Sequence, residues 1–239
     1  HPVAHSFPTR RSSDLLEGCN IRRRKPSDVV DDMEMLTKQH PDCYIFFTDS
    51  VFNDPGGAFM KVVEEMISRG INVPWTAFFT PAGLDGNAVG MMKKTGLNAA
   101  ELGSDASTDV TLRKMGKSFR FSDVASANNM FRANGIATAH YFMFGGPGET
   151  RETVIEGIEN ITALEDTAVF VFMGIRILPG TPLEDLSVKE GIINLNQDLL
   201  EPVYYISPAV QKDWLENTLT EAFKNVRHCI FPPDALDST

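Results

Sequence analysis

Cysteine is scarce in this 239-residue chain: Cys19, Cys43 and Cys229 lie far apart, and none has a second cysteine two to four residues away. That spacing excludes a local zinc or iron–sulfur framework within the chain, and it leaves Cys43, which opens an apolar run, as a small buried hydrophobe. The histidines His1, His5, His40, His140 and His228 are scattered too, and their spacing describes no metal site. Basic residues are in the minority, with 22 Lys and Arg against 32 Asp and Glu and a net charge of −10. Phosphate binding needs a basic surface, so a general nucleic-acid binder is excluded. The basic run Arg22-Arg23-Arg24-Lys25 reads as a solvated face. No apolar stretch reaches the length of a membrane span and no signal-peptide pattern opens the chain, so a cytoplasmic location is expected. Missing as well are a G-x-S-x-G elbow, a Walker A lysine and a G-x-G-x-x-G loop.

What is present is an alternation. Ala137–Thr150, ATAHYFMFGGPGET, sets the pattern: an apolar run suited to a strand buried on both faces breaks at Gly145-Gly146-Pro147-Gly148. A helix follows, with Val154, Ile155, Ile158, Ile161 and Leu164 at helical spacing. Two adjacent glycines plus Pro-Gly exceed what a simple turn needs, which points to a backbone close to a ligand. The same unit recurs upstream. Pro26-Ser27-Asp28 starts a helix, Cys43–Thr48 is a strand, and Ala58–Arg69 is a helix stopped by Gly70. Val73–Thr80 is the next strand, Asn87–Lys94 a helix, and Asn98–Leu102 a short strand leaving at Gly103-Ser104-Asp105. Helices around Thr108–Met115 and Ser122–Ala133 precede the central unit. A strand over Val169–Leu178 follows it, and one helix lies within Pro208–Val226. About five parallel strands with helices outside are expected, one α/β domain, in an open sheet that leaves an edge exposed.

Parallel strands bring their exits to one edge, so polar residues there are site candidates. They are Asp49, Ser50 and Asn53; Thr80; Glu101, Ser104 and Asp105; His140, Gly145, Gly146 and Glu149; and Arg176 and Thr181. Glu101 carries most weight, because an unpaired carboxylate inside an apolar strand costs several kcal/mol. A ligand contact is favoured for it over an ion pair with Arg176. His140 is as readily a hydrogen-bonded core histidine as a functional one, Asp105 serves equally as a helix cap, and Lys117 reads as solvated. Two other readings stay open: a cluster-free barrel enzyme whose exits bind a phosphorylated metabolite, and a noncatalytic binding module.

LEGCNIRRRKPSDVVDDMEML, FFTDSVFND, AELGSDASTDVTLRKMGKSF, YFMFGGPGET, IRILPGTPLED and DLLEPVYYIS together resemble radical S-adenosylmethionine enzymes, over Leu15–Pro232. The similarity is greatest to the group with a cobalamin-binding domain ahead of the barrel, including lipid-biosynthesis-type proteins. The resemblance implies a partial (β/α) barrel with parallel strands over 15–192 and a C-terminal helical extension over 193–239. It implies S-adenosylmethionine, a 4Fe-4S cluster and cobalamin as cofactors, an electron-donor protein as partner, and a small-molecule or lipid-related substrate. In this family three cysteines of a C-x-x-x-C-x-x-C loop ligate the cluster, and reductive cleavage of S-adenosylmethionine gives a 5′-deoxyadenosyl radical. That loop is absent here, so the resemblance implies a chain without the first strand and the cluster loop, inactive alone, with cobalamin-dependent methyl transfer and other radical rearrangements both open for the full-length enzyme. Carried over position by position, Asp49, Ser50 and Asn53 match the second-strand exit. Glu101 and Ser104 match the fourth, where polar groups meet the cofactor's ribose or carboxylate. Phe144, Gly145 and Gly146 match the fifth-strand turn beside the adenine, and Arg176 a sixth-strand polar position.

Residues 1–14, HPVAHSFPTRRSSD, lack periodicity and resemble a translated adapter remnant, so they are expected to be a non-native leader. Deleting them should leave the melting temperature nearly unchanged. A large fall in a calorimetric scan would make them native structure.

Overall fold

In the computed structural model residues 22–233 are described; the 1–14 leader and Cys19 lie outside them. The helices are α1 (Pro26–Gln39), α2 (Phe59–Ser68), α3 (Gly86–Lys94), α4 (Asp109–Lys114), α5 (Phe121–Ala133), α6 (Arg151–Thr162), α7 (Pro182–Lys189) and α8 (Lys212–Phe223). Their starts follow local chemistry. Pro26 sits in the first turn of α1, and the Asp85, Thr108, Thr150 and Thr181 side chains accept backbone N–H groups at the starts of α3, α4, α6 and α7.

Between them run β1 (Ile45–Phe47), β2 (Trp75–Phe79), β3 (Leu97–Asp105), β4 (Ala137–Phe144), β5 (Ala168–Met173), β6 (Ile175–Arg176), β7 (Tyr204–Tyr205) and β8 (Cys229–Ile230). The main sheet is open and parallel throughout, in the order β1-β2-β3-β4-β5-β8, and β1 is an edge strand among the described residues. About five strands were expected, and the described residues place six in the main sheet. The sixth, Cys229–Ile230, pairs with Val169 and Phe170 of β5. A two-residue strand carries no periodicity to read in sequence, so its membership rests on the pairing alone. The segment 193–239, expected as an extension, therefore lends a strand to the main sheet, and α8 packs Leu215, Leu219 and Phe223 into its core. The expected single strand over Val169–Leu178 breaks at Gly174, whose φ is +80°, and its end pairs antiparallel with β7 in a second small sheet. β3 runs to Asp105 rather than ending at Leu102.

Side chains alternate across a strand, and the two faces of this sheet differ sharply. Trp75, Ala77 and Phe79, Phe142 and Phe144, and Val169 and Val171 are buried and pack with helix residues in two hydrophobic clusters. Their alternates, among them Phe46, Phe78, Glu101, Tyr141, Phe170 and Phe172, belong to none of the hydrophobic clusters of the described residues. Among the described residues the helices cover one face and leave the other open.

The basic run is not simply solvated: Arg23 pairs with Asp54 at 2.6 Å and Arg24 with Asp32 at 2.7 Å. Burial pushes the Asp54 carboxyl up, but the Arg23 guanidinium and the N–H groups of Phe59 and Gly56 outweigh it and hold the group below the usual range. Its neighbour Asn53 is buried and ties two strand exits together. The amide nitrogen donates to the carbonyls of Thr80 (2.9 Å) and Ala82 (3.1 Å), and its oxygen accepts from the Thr80 N–H (2.9 Å). Asn53→Ala strands these backbone groups and should cost about 2–3 kcal/mol in urea denaturation. A loss below about 0.5 kcal/mol would mean that the exits hold together without it.

Candidate functional site

The sequence-predicted residues divide by face and by partner. Ser104 and Phe144 point to the helix side. Phe144 lies in the core against Phe223, with ring centroids 6.5 Å apart, and cannot meet an adenine on the open face. Ser104 is fully buried, its hydroxyl 2.7 Å from Nδ1 of His140. Ser104 lies three positions after Glu101, an odd interval, so the two cannot share a face of one regular strand.

His140 is the hub of that buried layer. Its Nε2 lies 3.1 Å from Oδ1 of Asn128, which also accepts from the Thr138 hydroxyl at 2.7 Å. With Nε2–H donating to this oxygen, Nδ1 accepts from Ser104. Burial pushes the imidazole down to about 3, so it stays neutral. Ser, His and Asn in sequence resemble a nucleophile relay, but each is at most 1% exposed beneath α5, out of reach of substrate. The set satisfies its own polar groups inside the core.

The Gly145-Gly146 turn is likewise explained from within. Both N–H groups donate to Oε2 of Glu149, so neither is directed at a ligand. The Gly145 carbonyl accepts from Ser207 N–H at 2.9 Å, and the Phe144 carbonyl from Gly174 N–H at 2.7 Å. Gly145 has a φ of +87°, and a Cβ there would press on Ile206 at 3.4 Å. The close approach is to the protein's own chain after β5 and β7. Asn53, as described above, is engaged with the backbone of Thr80 and Ala82.

Asp49 and Ser50 are exposed at the β1 exit, and Arg176 is exposed on β6. Asp105 has a φ of +61°, a conformation few side chains adopt, and forms an ion pair with Lys117 at 2.6 Å. Neither reading of it as a cap nor of Lys117 as solvated survives.

Glu101 lies on the open face. Its partner is the Tyr141 hydroxyl, which donates to Oε2 at 2.5 Å, not Arg176. Burial first and the neighbouring carboxylate second push the Tyr141 phenol well above its ordinary range, so it remains a donor. Tyr141 was missed in sequence because it reads as one more ring in the largely apolar run of β4. The signal was parity: Glu101 registers with Ala139, and Tyr141 is two residues on, on the same face. Rings flank the pair. Phe46 and Phe78 meet edge-on at 5.2 Å on the β1–β2 side, and Phe170 stacks on Tyr141 at 5.3 Å on the β5 side. A carboxylate bonded to a phenol amid rings on an open face is the arrangement best suited to a ligand among the described residues.

No family model matches the chain. The chain is 30% identical over 139 residues to the anaerobic magnesium-protoporphyrin IX monomethyl ester cyclase of Rubrivivax gelatinosus, covering 57% of this chain and 25% of the cyclase. It is 26% identical over 179 residues to the tryptophan 2-C-methyltransferase of Streptomyces laurentii, covering 68% and 29%. The radical S-adenosylmethionine methyltransferase TsrM from Kitasatospora setae, solved with tryptophan and a cofactor analogue, superposes with a TM-score of 0.72 over 89% of this chain and 48% of that one, at 22% identity. The fold is that of the radical S-adenosylmethionine enzymes. The same methyltransferase, solved with cobalamin and a [4Fe-4S] cluster bound, superposes with a TM-score of 0.65 over 80% of this chain and 39% of that one, at 24% identity. The chain spans about a quarter of the length of the curated relatives it matches.

The described residues do not fit an iron–sulfur cluster. No group of three or more His, Cys, Asp and Glu among them could hold a metal ion. Cys43 and Cys229 stand apart, and burial pushes the Cys229 thiol up to about 12, far from the thiolate a metal needs. No helix among the described residues is long and apolar enough to cross a membrane.

Glu149 yields a prediction of its own. It is 1% exposed; burial pushes its carboxyl from 4.5 up to about 7, although the two glycine N–H groups pull the other way. A raised carboxyl favours the folded state when protonated. Its contribution is fully present below about 4.5 and drains away as pH rises through about 7, by about 3 kcal/mol at most. In Glu149→Gln the amide oxygen still accepts from both glycines and no charge forms. Urea midpoints should therefore fall between pH 5 and pH 8 more steeply in the parent than in Glu149→Gln. A parent that gains stability over this range relative to the variant would contradict the assignment.

Proposed function

We propose that this chain forms the S-adenosylmethionine-binding wall of a radical S-adenosylmethionine enzyme, with the cofactor laid across the open face at the C-terminal edge of the sheet. The observation that carries this reading is Glu101, a carboxylate held by Tyr141 on the face that the helices leave bare, in a sheet of this enzyme fold. Glu101 accepts hydrogen bonds from the ribose hydroxyls through Oε1, while Tyr141 fixes Oε2. Asp49, Ser50 and Arg176, exposed on β1's exit and β6, supply outer polar contacts. Asn53, Ser104, Phe144, Gly145 and Gly146 position the wall rather than touch the cofactor.

For the whole protein we infer a 4Fe-4S cluster, cobalamin, an electron donor and a small-molecule substrate. TsrM is also solved with cobalamin and a [4Fe-4S] cluster bound, and the relatives are named for a tryptophan methyl transfer and a protoporphyrin ester cyclisation. The described residues hold no ligand set for the cluster, so reductive cleavage requires residues outside them and the chain alone is expected to be inactive. Its own contribution is to bind and orient the cofactor.

Titration calorimetry of S-adenosylmethionine against the 239-residue chain should give saturable binding, weakened about tenfold by Glu101→Gln, which removes a charge-assisted hydrogen bond. Absence of binding would overturn the reading, and an unchanged affinity in the variant would remove Glu101 from the site.

A further inference from the structure

After β5 the chain leaves the main sheet at Gly174, and it rejoins the sheet's hydrophobic cluster at Ile206. Residues 175–205 between them have a core of their own. Ile177, Ile193, Leu199 and Tyr205 form a separate buried cluster, and the side chains packed on it, Leu183 and Val203 among them, come from the same segment. A segment that packs on itself can move as a unit without opening the core of the sheet. Hydrogen bonds fasten its two ends to the β4 exit. Gly174 N–H donates to the Phe144 carbonyl at 2.7 Å, Ser207 N–H to the Gly145 carbonyl at 2.9 Å, and the Ser207 hydroxyl to the Glu149 carbonyl at 2.8 Å.

The Glu149 side chain holds the other side of the same turn. Its Oε2 accepts from the N–H groups of Gly145 and Gly146. The Gly146 N–H and the Gly145 carbonyl belong to one planar peptide, so turning that peptide breaks the Glu149 contact and the Ser207 tie together. A cavity of about 460 Å³ lies where Glu149 meets Ser207, Pro208 and Ala209, and Glu190 lines it too, its carboxylate accepting from the Tyr205 hydroxyl at 2.7 Å. Other charged groups nearby are turned elsewhere. Lys114 of α4 packs against Gly148, Arg151 is engaged with Gln211 and the Trp214 ring, and Glu152 accepts from the Thr150 hydroxyl. Among the described residues only burial and the two glycine N–H groups act on the Glu149 carboxyl. Once ionised, it is a buried charge without a counter-ion, in a cavity that holds a second carboxylate. It gains hydration when residues 207–209 lift away.

We propose that residues 175–205 form a flap hinged at Gly174 and Ile206, and that ionisation of Glu149 releases it from the β4 exit. The inference stands apart from the cofactor-binding reading. In the closed state burial keeps the carboxyl raised to about 7, and opening returns it toward its ordinary 4.5. The flap is therefore seated most firmly below about 4.5, and its opening increases as pH rises through about 7.

Amide hydrogen exchange of the 239-residue chain, followed by NMR and corrected for the intrinsic pH dependence of exchange, reads the opening at Gly145, Gly174 and Ser207. Between pH 5 and pH 8 their protection should fall at least about tenfold. About 0.5 M urea should not alter it, because a local opening exposes little new surface. In Glu149→Gln the protection should stay level, since no charge forms. Ser207→Ala removes the hydroxyl tie to the Glu149 carbonyl and should lower protection about fivefold at every pH, with the same slope. Phe142, inside β4, reports unfolding of the whole sheet and should stay better protected than all three. A thermal melt verifies the fold of each variant; should Glu149→Gln not fold, the parent's profile and Ser207→Ala decide. Level protection in the parent, an equal fall in Glu149→Gln, unchanged protection in Ser207→Ala, or a fall that follows urea in step with Phe142 would overturn the flap.

Discussion

A parallel strand must send alternate side chains to opposite faces, and among the described residues helices cover one of those faces. The core depends on that asymmetry. Trp75, Phe79, Phe142, Phe144, Val169 and Val171 bury themselves against α-helical partners, while the residues between them are left to the other side. In a doubly covered parallel sheet both sets would be apolar and enclosed. Here the second set includes a carboxylate, a phenol and several rings, and its exposure is what makes it available to a ligand.

Polar residues at the strand ends serve two distinct purposes. Asn53 and Glu149 satisfy backbone donors and acceptors where strands give way to loops, and they hold the exits of β1, β2 and β4 in place. Ser104, His140 and Asn128 do the same inside the sheet–helix layer. Buried backbone and side-chain groups require such partners, so a polar residue at a strand exit is as readily a structural device as a contact with a ligand. Glu101 differs in facing away from the helices with a hydroxyl as its partner, which orients it without enclosing it.

The likeness to radical S-adenosylmethionine enzymes and the geometry of the sheet bear on each other. The sequences of the two curated relatives match over parts of their length, and the solved methyltransferase superposes on most of this chain. That arrangement gives the described residues a bare sheet face and an edge where strand exits meet.

The alternation of elements was legible in the amino-acid sequence because amphipathic periodicity, glycine stops and capping residues are local: α1, α2, α3, α5 and β2 lie within a few residues of their expected bounds. The singular position of Glu101 was legible too, since a charge inside an apolar run is conspicuous by itself. Parity along β3 could have separated Ser104 from Glu101, had the strand been known to extend to Asp105. Beyond that, tertiary structure decided. The pairing of Cys229–Ile230 with β5, the capture of both glycine N–H groups by Glu149, the ion pair of Asp105 with Lys117 and the meeting of Tyr141 with Glu101 join residues through register and loop path. Hydrophobic pattern fixes which residues must leave water, but register between strands fixes which polar groups meet, and it is set only when the whole sheet assembles.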